Sequence, residues 1–313
     1  MESLAISGLT RVAEGIERPE DVLSLPDGRI LVSDSSSAVA EILPDGSHLG
    51  RGKAGGTPNG IALLPSGKIA VANFGLGCLQ VLDLDSGRID TLADRTGDGT
   101  PLRYANYPLA DRSGGVWLSC CTIDIDIPAA LANPQPDGMI AYVTPDGEAS
   151  VVARETFPNC MAFGPGGTHL YVARTATTDV VRYEVLGPGR LGPAESFGPA
   201  LGGRRADEVG DGYLGVARDP ETARRWGFAD GCAFDALGNL WVTLVMANAI
   251  VAISPDGQVL PVVAHDGETM VAPTSVCWAG EDMRDIYIGS LSARCVLRGR
   301  SSVPGCSRYP VRP

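Results

Sequence analysis

Short apolar runs alternate with glycine-containing turns along the whole chain. A phrase made of a turn and an apolar run recurs at residues 26–32, 65–71, 113–118, 165–172 and 236–242, and a sixth copy at 281–288 keeps the pattern without its glycine. Another short apolar run precedes each copy. Apolar runs of about four to eight residues between turn residues are typical of β-strands. Each phrase therefore predicts a strand, a tight turn and a second strand.

A polar residue precedes each copy at a constant distance. The position eight residues before the turn is polar in all six copies, and we call these positions the ring residues: Glu20, Asn59, Asn106, Asn159, Asp230 and Thr274. The interval between copies varies from 39 to 71 residues. A constant internal offset with a variable interval indicates one repeated supersecondary unit whose outer loops differ in length.

A second hairpin follows the first in several units, for example at residues 79–92, 140–152 and 250–263. Four strands in each of six units predict an all-β fold, a six-bladed β-propeller with four-stranded antiparallel blades, over residues 1–313 as a single domain. The last unit runs short after Leu297, so we expect residues 9–13 to supply its outer strand. This N-terminal strand would close the ring and leave no sheet edge exposed.

Two insertions interrupt the repeat, at about residues 122–135 and 198–228, and a tail covers about residues 300–313. The first insertion contains a segment that could form a short helix. The second contains two Arg-Arg pairs and Asp207-Glu208, and its Pro220 is suited to the first turn of a helix. Insertions of this length serve as lids over a site or as contacts between subunits, and the sequence leaves both open.

Composition narrows the classes of partner. The 313-residue chain has 25 basic and 37 acidic side chains, a net charge of −12, which disfavours nucleic acid and anionic membranes as partners. We expect a small-molecule substrate and a monomer or homo-oligomer. Gly and Pro make up about a fifth of the chain, which fits a fold rich in turns. The N-terminus does not resemble a secretory signal, and the longest apolar stretch, 240–253, is too short for a bilayer.

The eight cysteines contain no C-x-x-C pair. Without a secretory signal, we expect free buried thiols and a soluble, cytoplasmic protein.

The ring residues predict a cation site. In a propeller the innermost strand of each blade lines a central channel, so equivalent positions of all blades meet at one mouth of that channel. Two carboxylates and three amides would converge there, and oxygen ligands of this kind suit Ca²⁺ best. Mg²⁺ and Mn²⁺ are alternatives, and Zn²⁺ is disfavoured because the ring holds no His or Cys. The competing interpretation is that these residues only cap the turn before each inner strand.

Other candidate groups are less well placed. Strand-end residues one hairpin further on could also line the mouth: Asp34, Asn73, Cys120, Arg174 and Ser290. His48, His169 and His265 are out of phase with the ring, so we expect surface or structural roles for them. Cys160 and Cys232 lie next to or near ring residues, but no basic residue in phase could activate a thiol there.

Several phrases together resemble the gluconolactonase/regucalcin family of six-bladed propellers, from about Glu17 to Ser290. They are Pro58-Asn59-Gly60-Ile61-Ala62, Pro158-Asn159-Cys160-Met161-Ala162-Phe163, Asp230-Gly231-Cys232-Ala233-Phe234-Asp235, Gly238-Asn239-Leu240-Trp241-Val242 and Pro273-Thr274-Ser275-Val276. The resemblance implies a divalent metal, often calcium, held by Glu20, Asn159 and Asp230. It also implies that Asn106 contacts the substrate.

The chain departs from this family at three places. Pro19-Glu20-Asp21 is more similar to the related paraoxonase and strictosidine-synthase-like propellers. Cys160 follows Asn159 where the family has glycine. Tyr104 occupies the position of the family's substrate-binding arginine, with Arg103 beside it. We therefore expect a metal site but not necessarily a sugar lactone as substrate.

The resulting hypothesis is a metal-dependent lactonase. The metal would polarise the carbonyl, and Asp230 would activate water, with Glu20 or Asp21 sharing that role. Substrate-binding candidates are Asn106, Asn59, Tyr104 and Arg174. One alternative keeps the site for non-hydrolytic chemistry, as an isomerase, cyclase or lyase in secondary metabolism. Another is a binding propeller without catalysis.

Overall fold

The computed structural model describes residues 4–203, 219–264 and 267–307, and in these ranges the chain forms six four-stranded antiparallel sheets. This confirms the predicted six-bladed β-propeller. We number the sheets as blades 1 to 6 and give each from its innermost strand outward. Blade 1 contains β2 (Val22–Ser24), β3 (Ile30–Ser33), β4 (Val39–Ile42) and β5 (His48–Arg51). Blade 2 contains β6 (Pro58–Leu63), β7 (Ile69–Asn73), β8 (Cys78–Leu82) and β9 (Ile89–Ala93).

The remaining blades follow the same order. Blade 3 contains β10 (Ala105–Ala110), β11 (Val116–Cys120), β12 (Gly138–Val143) and β13 (Ala149–Glu155). Blade 4 contains β14 (Pro158–Phe163), β15 (His169–Arg174), β16 (Asp179–Gly187) and β17 (Arg190–Ser196). Blade 5 contains β18 (Ala229–Phe234), β19 (Leu240–Leu244), β20 (Ala249–Ile253) and β21 (Val259–Ala264). Blade 6 contains β22 (Pro273–Ala279), β23 (Asp285–Ser290), β24 (Val296–Ser301) and β1 (Ile6–Val12).

The N-terminal strand closes the ring, as predicted. β1 pairs antiparallel with β24, with Ile6 opposite Ser301 and Val12 opposite Val296. The strand begins at Ile6, before the predicted segment 9–13, and β24 continues to Ser301, into the predicted tail. The first and last strands of the described residues thus share one sheet, which joins blade 6 to the start of the ring.

The inner strands of successive blades pack on one another in a closed circle, from β2 on β6 round to β22 on β2. Two glycines make this approach close enough. A Cβ on Gly60 would lie 2.8 Å from the Asn106 backbone oxygen, and one on Gly231 would lie 2.2 Å from that of Thr274. Larger residues there would push neighbouring blades apart at the channel.

Large apolar side chains fill the space between blades. The rings of Trp241 and Trp278 meet edge to face with centroids 5.0 Å apart, across blades 5 and 6. Tyr171 and Phe234 do the same across blades 4 and 5, at 4.9 Å. All eight cysteines are free thiols, and seven of them are buried, as expected.

Both predicted short helices are present. α1 (Ile127–Ala132) has Asp126 as its N-cap, and α2 (Pro220–Trp226) begins at the predicted proline and is followed by Gly227 at φ 75°. Of the two Arg-Arg pairs in the second insertion, Arg204-Arg205 lies outside the described residues, as do Asp207-Glu208 and His265. Neither α1 nor α2, the helices of the described ranges, is long and apolar enough to cross a membrane.

Candidate metal centre

A β-bulge marks the start of the inner strand in blades 2 to 6. The register between the two innermost strands shifts across Pro58/Ile61, Ala105/Tyr107, Pro158/Met161, Ala229/Cys232 and Pro273/Ser275. Each shift contains a ring residue, and Glu20 of blade 1 lies two residues before its inner strand. A bulge leaves its extra residue out of the ladder and redirects its side chain. The constant phase in the sequence thus corresponds to a repeated distortion of the backbone.

A left-handed residue precedes the ring residue in most blades. In five blades the residue two positions before the ring residue has positive φ: Arg18 (57°), Tyr104 (52°), Phe157 (48°), Phe228 (59°) and Ala272 (43°). This conformation is uncommon for residues other than glycine and costs about 1 to 3 kcal/mol at each position. Nothing in the sequence marked it, because the residues are arginine, aromatic residues and alanine. Strain repeated at one end of the channel is characteristic of a functional site.

The two ring carboxylates are buried, 5% exposed for Glu20 and 9% for Asp230. Burial raises the pKa of Asp230 well above its usual range, and the charge of Glu20 raises it further. Burial also raises the pKa of Glu20, which Arg18 opposes and Asp21 reinforces. These carboxylates are therefore close enough to repel each other, and a cation between them would relieve both costs.

Amide oxygens complete the donor set. Asn59 donates from Nδ2 to the Asn106 backbone oxygen at 3.2 Å, and Asn106 donates from Nδ2 to Cys121 Sγ at 3.1 Å. The Oδ1 atoms of both asparagines are buried and accept no hydrogen bond. The same is true of Glu20 Oε2. Asn159 donates from Nδ2 to Thr175 Oγ1 at 3.0 Å, which fixes the orientation of its amide. Buried acceptors without donors are costly unless something binds them.

Thr274 differs from the other ring residues. Its hydroxyl donates to the Glu20 backbone oxygen at 2.6 Å, so it ties blade 6 to blade 1 next to a carboxylate. Asp21 also joins blades, since its Oδ2 accepts from the Ile61 backbone N–H at 2.9 Å. Both contacts thus bind the backbone of a neighbouring blade.

The remaining donors fit a hard divalent cation. The ring offers two carboxylates and three side-chain amides, whose oxygen atoms are ligands of the kind that Ca²⁺ prefers. In the described ranges no three His, Cys, Asp or Glu side chains group as a metal site, so a cation here depends on the asparagines.

The candidates from the neighbouring strands have other partners. Arg174 binds Asp179 through Nε at 2.8 Å and Glu155 through Nη1 at 3.2 Å. Asn73 receives the Thr57 backbone N–H at 3.0 Å, and Ser290 donates to the Val271 backbone oxygen at 2.6 Å. These groups brace the loops around the mouth.

Asp34 also braces a loop, since its carboxylate accepts from the hydroxyls of Ser36 and Ser37, and Cys120 is buried. Cys160 donates from Sγ to the Cys232 backbone oxygen at 3.3 Å. The imidazole of His169 pairs with the Thr168 hydroxyl at 3.0 Å, and His48 lies on outer strand β5.

Sequence reasoning missed Arg18. Its Nη2 lies 3.4 Å from Glu20 Oε2, its Nη1 donates to the Pro58 backbone oxygen at 3.3 Å, and its guanidinium lies 5.8 Å from the Phe74 ring centroid. The available signal was its place two residues before Glu20, the same offset that Tyr104 has from Asn106.

Comparisons with known proteins agree with this architecture. A 6-deoxy-6-sulfogluconolactonase of Pseudomonas putida is 27% identical over 187 residues, which are 54% of this chain and 55% of that protein. The chain thus matches about half the length of this curated relative.

Solved structures match over nearly the whole chain. A gluconolactonase of Xanthomonas campestris superposes with a TM-score of 0.72 at 16% identity, covering 97% of this chain and 96% of that one. A calcium-binding protein, regucalcin, of Agrobacterium tumefaciens superposes with a TM-score of 0.70 at 17% identity, covering 100% of both chains. At these identities the two structures show a shared fold.

The family model that matches is described as the SMP-30/Gluconolactonase/LRE-like region, and it covers residues 28–292. The match contains five of the six ring residues and leaves out Glu20. The chain belongs to the SMP-30/gluconolactonase/LRE-like family.

Proposed function

We propose that this protein is a divalent-metal-dependent lactonase. The observation that carries the proposal is the group of buried oxygen atoms at the channel mouth. Glu20 and Asp230 are buried without a full counter-ion, and the neighbouring Oδ1 atoms of Asn59 and Asn106 accept no hydrogen bond. A purely structural mouth would leave this cost unrelieved.

Glu20, Asn159 and Asp230 are the proposed metal ligands. Their carboxylate and amide oxygens favour Ca²⁺, with Mg²⁺ and Mn²⁺ as alternatives and Zn²⁺ poorly matched. When bound, the cation would polarise the lactone carbonyl and stabilise negative charge on its oxygen.

Asp230 is the proposed base. Its carboxylate is buried beside the other proposed ligands, where it could accept a proton from a water molecule shielded from solvent. It would take a proton from water as the water oxygen bonds to the carbonyl carbon. The ring C–O bond then breaks, and the proton passes to the departing ring oxygen, which gives a hydroxy acid. Glu20 is better placed than Asp21 to share this role, since Asp21 Oδ2 already accepts the Ile61 N–H.

Asn59 and Asn106 are proposed to orient the substrate through their unpartnered Oδ1 atoms, with Tyr104 beside them. Arg174 is retained as a proposed contact of secondary importance, because two carboxylates already bind it. A cytoplasmic location is also proposed, and the eight free thiols support a reducing compartment.

The test is proton release from aldono-, aliphatic and aromatic lactones by chelated protein, before and after addition of Ca²⁺, Mg²⁺, Mn²⁺ or Zn²⁺. We expect chelation to abolish turnover and at least one metal to restore it. Asp230→Asn should lower kcat/KM by about a thousandfold. The matched control Asp146→Asn, in an exposed turn, should behave like wild type.

Absence of hydrolysis with every metal would overturn the lactonase proposal. Unchanged turnover after chelation would overturn its metal dependence. Mass spectrometry in ¹⁸O-water separates the chemistries, because hydrolysis places one labelled oxygen in the product. A product without the label would indicate the isomerase, cyclase or lyase alternative.

A further inference from the structure

Four planar groups form a stack along one side of the channel mouth. The Arg18 guanidinium lies 5.8 Å from the Phe74 ring centroid, Phe74 lies 4.9 Å from Tyr104, and the Arg103 guanidinium lies 4.6 Å from the Tyr104 ring centroid. The stack crosses blades 1, 2 and 3. Its aromatic members are partly exposed, so their faces and edges are not fully used within the protein.

Apolar side chains from the two insertions continue this surface. α1 and α2 pack with the buried Phe157 and Phe228 in one cluster, against which further partly buried side chains lie. We call the partly buried set the mouth wall: Phe74, Tyr104, Ile125, Ile127 and Met246.

The mouth wall lies at the same end of the channel as the ring residues. Tyr104, Phe157 and Phe228 are each two residues before a ring residue. The Phe74 backbone N–H donates to the Thr57 backbone oxygen at 2.9 Å, two residues before Asn59. Cys121 of the same cluster accepts the amide of Asn106. A molecule at the ring oxygens would therefore meet these side chains.

The chemistry of the mouth wall discriminates between lactones. A polyhydroxylated sugar lactone carries a hydroxyl on nearly every carbon, and each one buried against Phe, Ile or Met would lose its hydrogen bonds to water. An aryl or alkyl substituent would instead bury apolar surface, and an aryl ring would find aromatic partners.

Arg18 supplies a polar contact beside this wall. Its Nη1 is committed to the Pro58 backbone oxygen, while its Nη2 lies 3.4 Å from Glu20 Oε2, which accepts no hydrogen bond. Its side chain is 24% exposed. A guanidinium held this way can donate to an oxygen of a bound molecule.

We propose that the preferred substrates are lactones with an apolar, above all aryl, substituent, which the mouth wall binds while Arg18 donates to a substrate oxygen. This proposal rests on the proposed function and names its substrate class.

The first experiment compares two five-membered lactones, γ-phenyl-γ-butyrolactone and D-galactono-1,4-lactone, with the metal-loaded enzyme. We expect kcat/KM to be at least about tenfold higher for the phenyl lactone. Phe74→Ala should lower that value by about tenfold and change the galactonolactone value by less than about threefold. Phe163→Ala, a half-buried phenylalanine at the other end of an inner strand, should leave the ratio unchanged. If Phe74→Ala does not fold, Phe74→Leu, which keeps the apolar volume but not the ring, should give the smaller change in the same direction.

A second experiment distinguishes substrate binding by Arg18 from its role as the counter-ion of Glu20. Arg18→Met should raise KM for the phenyl lactone about tenfold, and Arg18→Lys should recover part of that loss. A change confined to the dissociation constant for Ca²⁺, with KM unaltered, would show that Arg18 serves only Glu20 and would overturn its part of the proposal.

A lactam that cannot be hydrolysed separates this proposal from the proposed function. Titration calorimetry with 5-phenyl-2-pyrrolidinone should show binding to wild type and about tenfold weaker binding to Phe74→Ala. Binding of this lactam without hydrolysis of any lactone would overturn the lactonase and keep the apolar specificity. Equal or faster hydrolysis of the galactonolactone would overturn the apolar specificity and keep the lactonase.

Discussion

Two pairs of acidic side chains in this propeller differ in what neutralises them. Glu155 and Asp179 share Arg174, which reaches Asp179 through Nε and Nη2 and Glu155 through Nη1. Burial alone would lower the pKa of Arg174, but the two carboxylates outweigh it and raise that pKa. Tyr183 also donates its hydroxyl to Glu155. The protein itself thus supplies the partners of these two carboxylates, and we call them the closed pair.

The pair at the channel mouth, Glu20 and Asp230, lacks a full counter-ion, and we call it the open pair. Arg18 approaches Glu20 at 3.4 Å without a hydrogen bond. Burial raises the pKa of both carboxylates, Asp21 adds to the rise at Glu20, and the charge of Glu20 adds to the rise at Asp230. A buried charge with its partner in place is a structural feature, whereas one left uncompensated indicates a place for a ligand. The difference lies in the partners of the carboxylates and not in their burial.

Removing the Arg174 guanidinium should leave the closed pair without a counter-ion, like the open pair. Arg174→Gln leaves Glu155 buried with no guanidinium, so we expect the free energy of unfolding to fall by about 3 kcal/mol. Urea denaturation measures this loss. Adding Glu155→Gln to the first substitution should restore part of the stability, because the uncompensated charge is then gone. A double variant less stable than Arg174→Gln would mean that hydrogen bonding and not charge holds this network.

Removing a charge from the open pair should raise the free energy of unfolding, which is the opposite of the effect at the closed pair. In chelated protein Asp230→Asn relieves repulsion with Glu20, so we expect a gain of about 1 kcal/mol in the free energy of unfolding. The same variant should lose the stabilisation that Ca²⁺ gives to wild type. Thermal denaturation with chelator and with Ca²⁺ checks both statements. A chelated Asp230→Asn variant that is less stable than wild type would show that the carboxylate is already satisfied.

The pH dependence gives a smaller effect with a defined sign. The folded-state pKa values of Glu20 and Asp230 lie above those of the unfolded chain, so folding favours their protonated forms. Their contribution to stability is present at low pH and is lost as pH rises from about 4 through the folded-state pKa values. Chelated wild type should therefore lose more stability between pH 5 and pH 8 than chelated Asp230→Asn does. If the free energies of unfolding of the two proteins changed in parallel with pH, Asp230 would not contribute to the pH dependence.

The sequence predicted the open pair better than the closed one. The ring residues recur at a constant offset from the turns, and this periodicity was enough to predict six blades and the closing strand. It also assigned Glu20 and Asp230 to equivalent positions of their blades. The neutralisation of Arg174 was not predictable in the same way. Asp179 faces it across the β15–β16 register, and Glu155 comes from the outer strand of the preceding blade.

The left-handed positions and the stack at the mouth were missed for different reasons. Positive φ is signalled in sequences by glycine or asparagine, and here Tyr104, Phe157 and Phe228 adopt it directly before a bulge. The stack joins residues 18, 74 and 104, which are far apart in the chain and meet only because the blades close into a circle. Their arrangement is therefore a product of the fold.

We expect the smallest change in the free energy of unfolding for an ion pair that is exposed to solvent. Arg182 and Glu195 pair at 3.0 Å between β16 and β17, in the same blade as Arg174, with side chains 35% and 59% exposed. Water solvates both groups before and after the pair is broken, so Arg182→Gln should lower the free energy of unfolding by less than about 0.5 kcal/mol. The variant should also respond to salt less than wild type does. Because Arg174 and Arg182 lie on adjacent strands and both bind carboxylates, their difference in urea denaturation measures what shielding from solvent adds to the same chemistry. Similar losses for the two variants would mean that shielding adds little to such a pair, and the mouth carboxylates could then remain uncompensated without a cation.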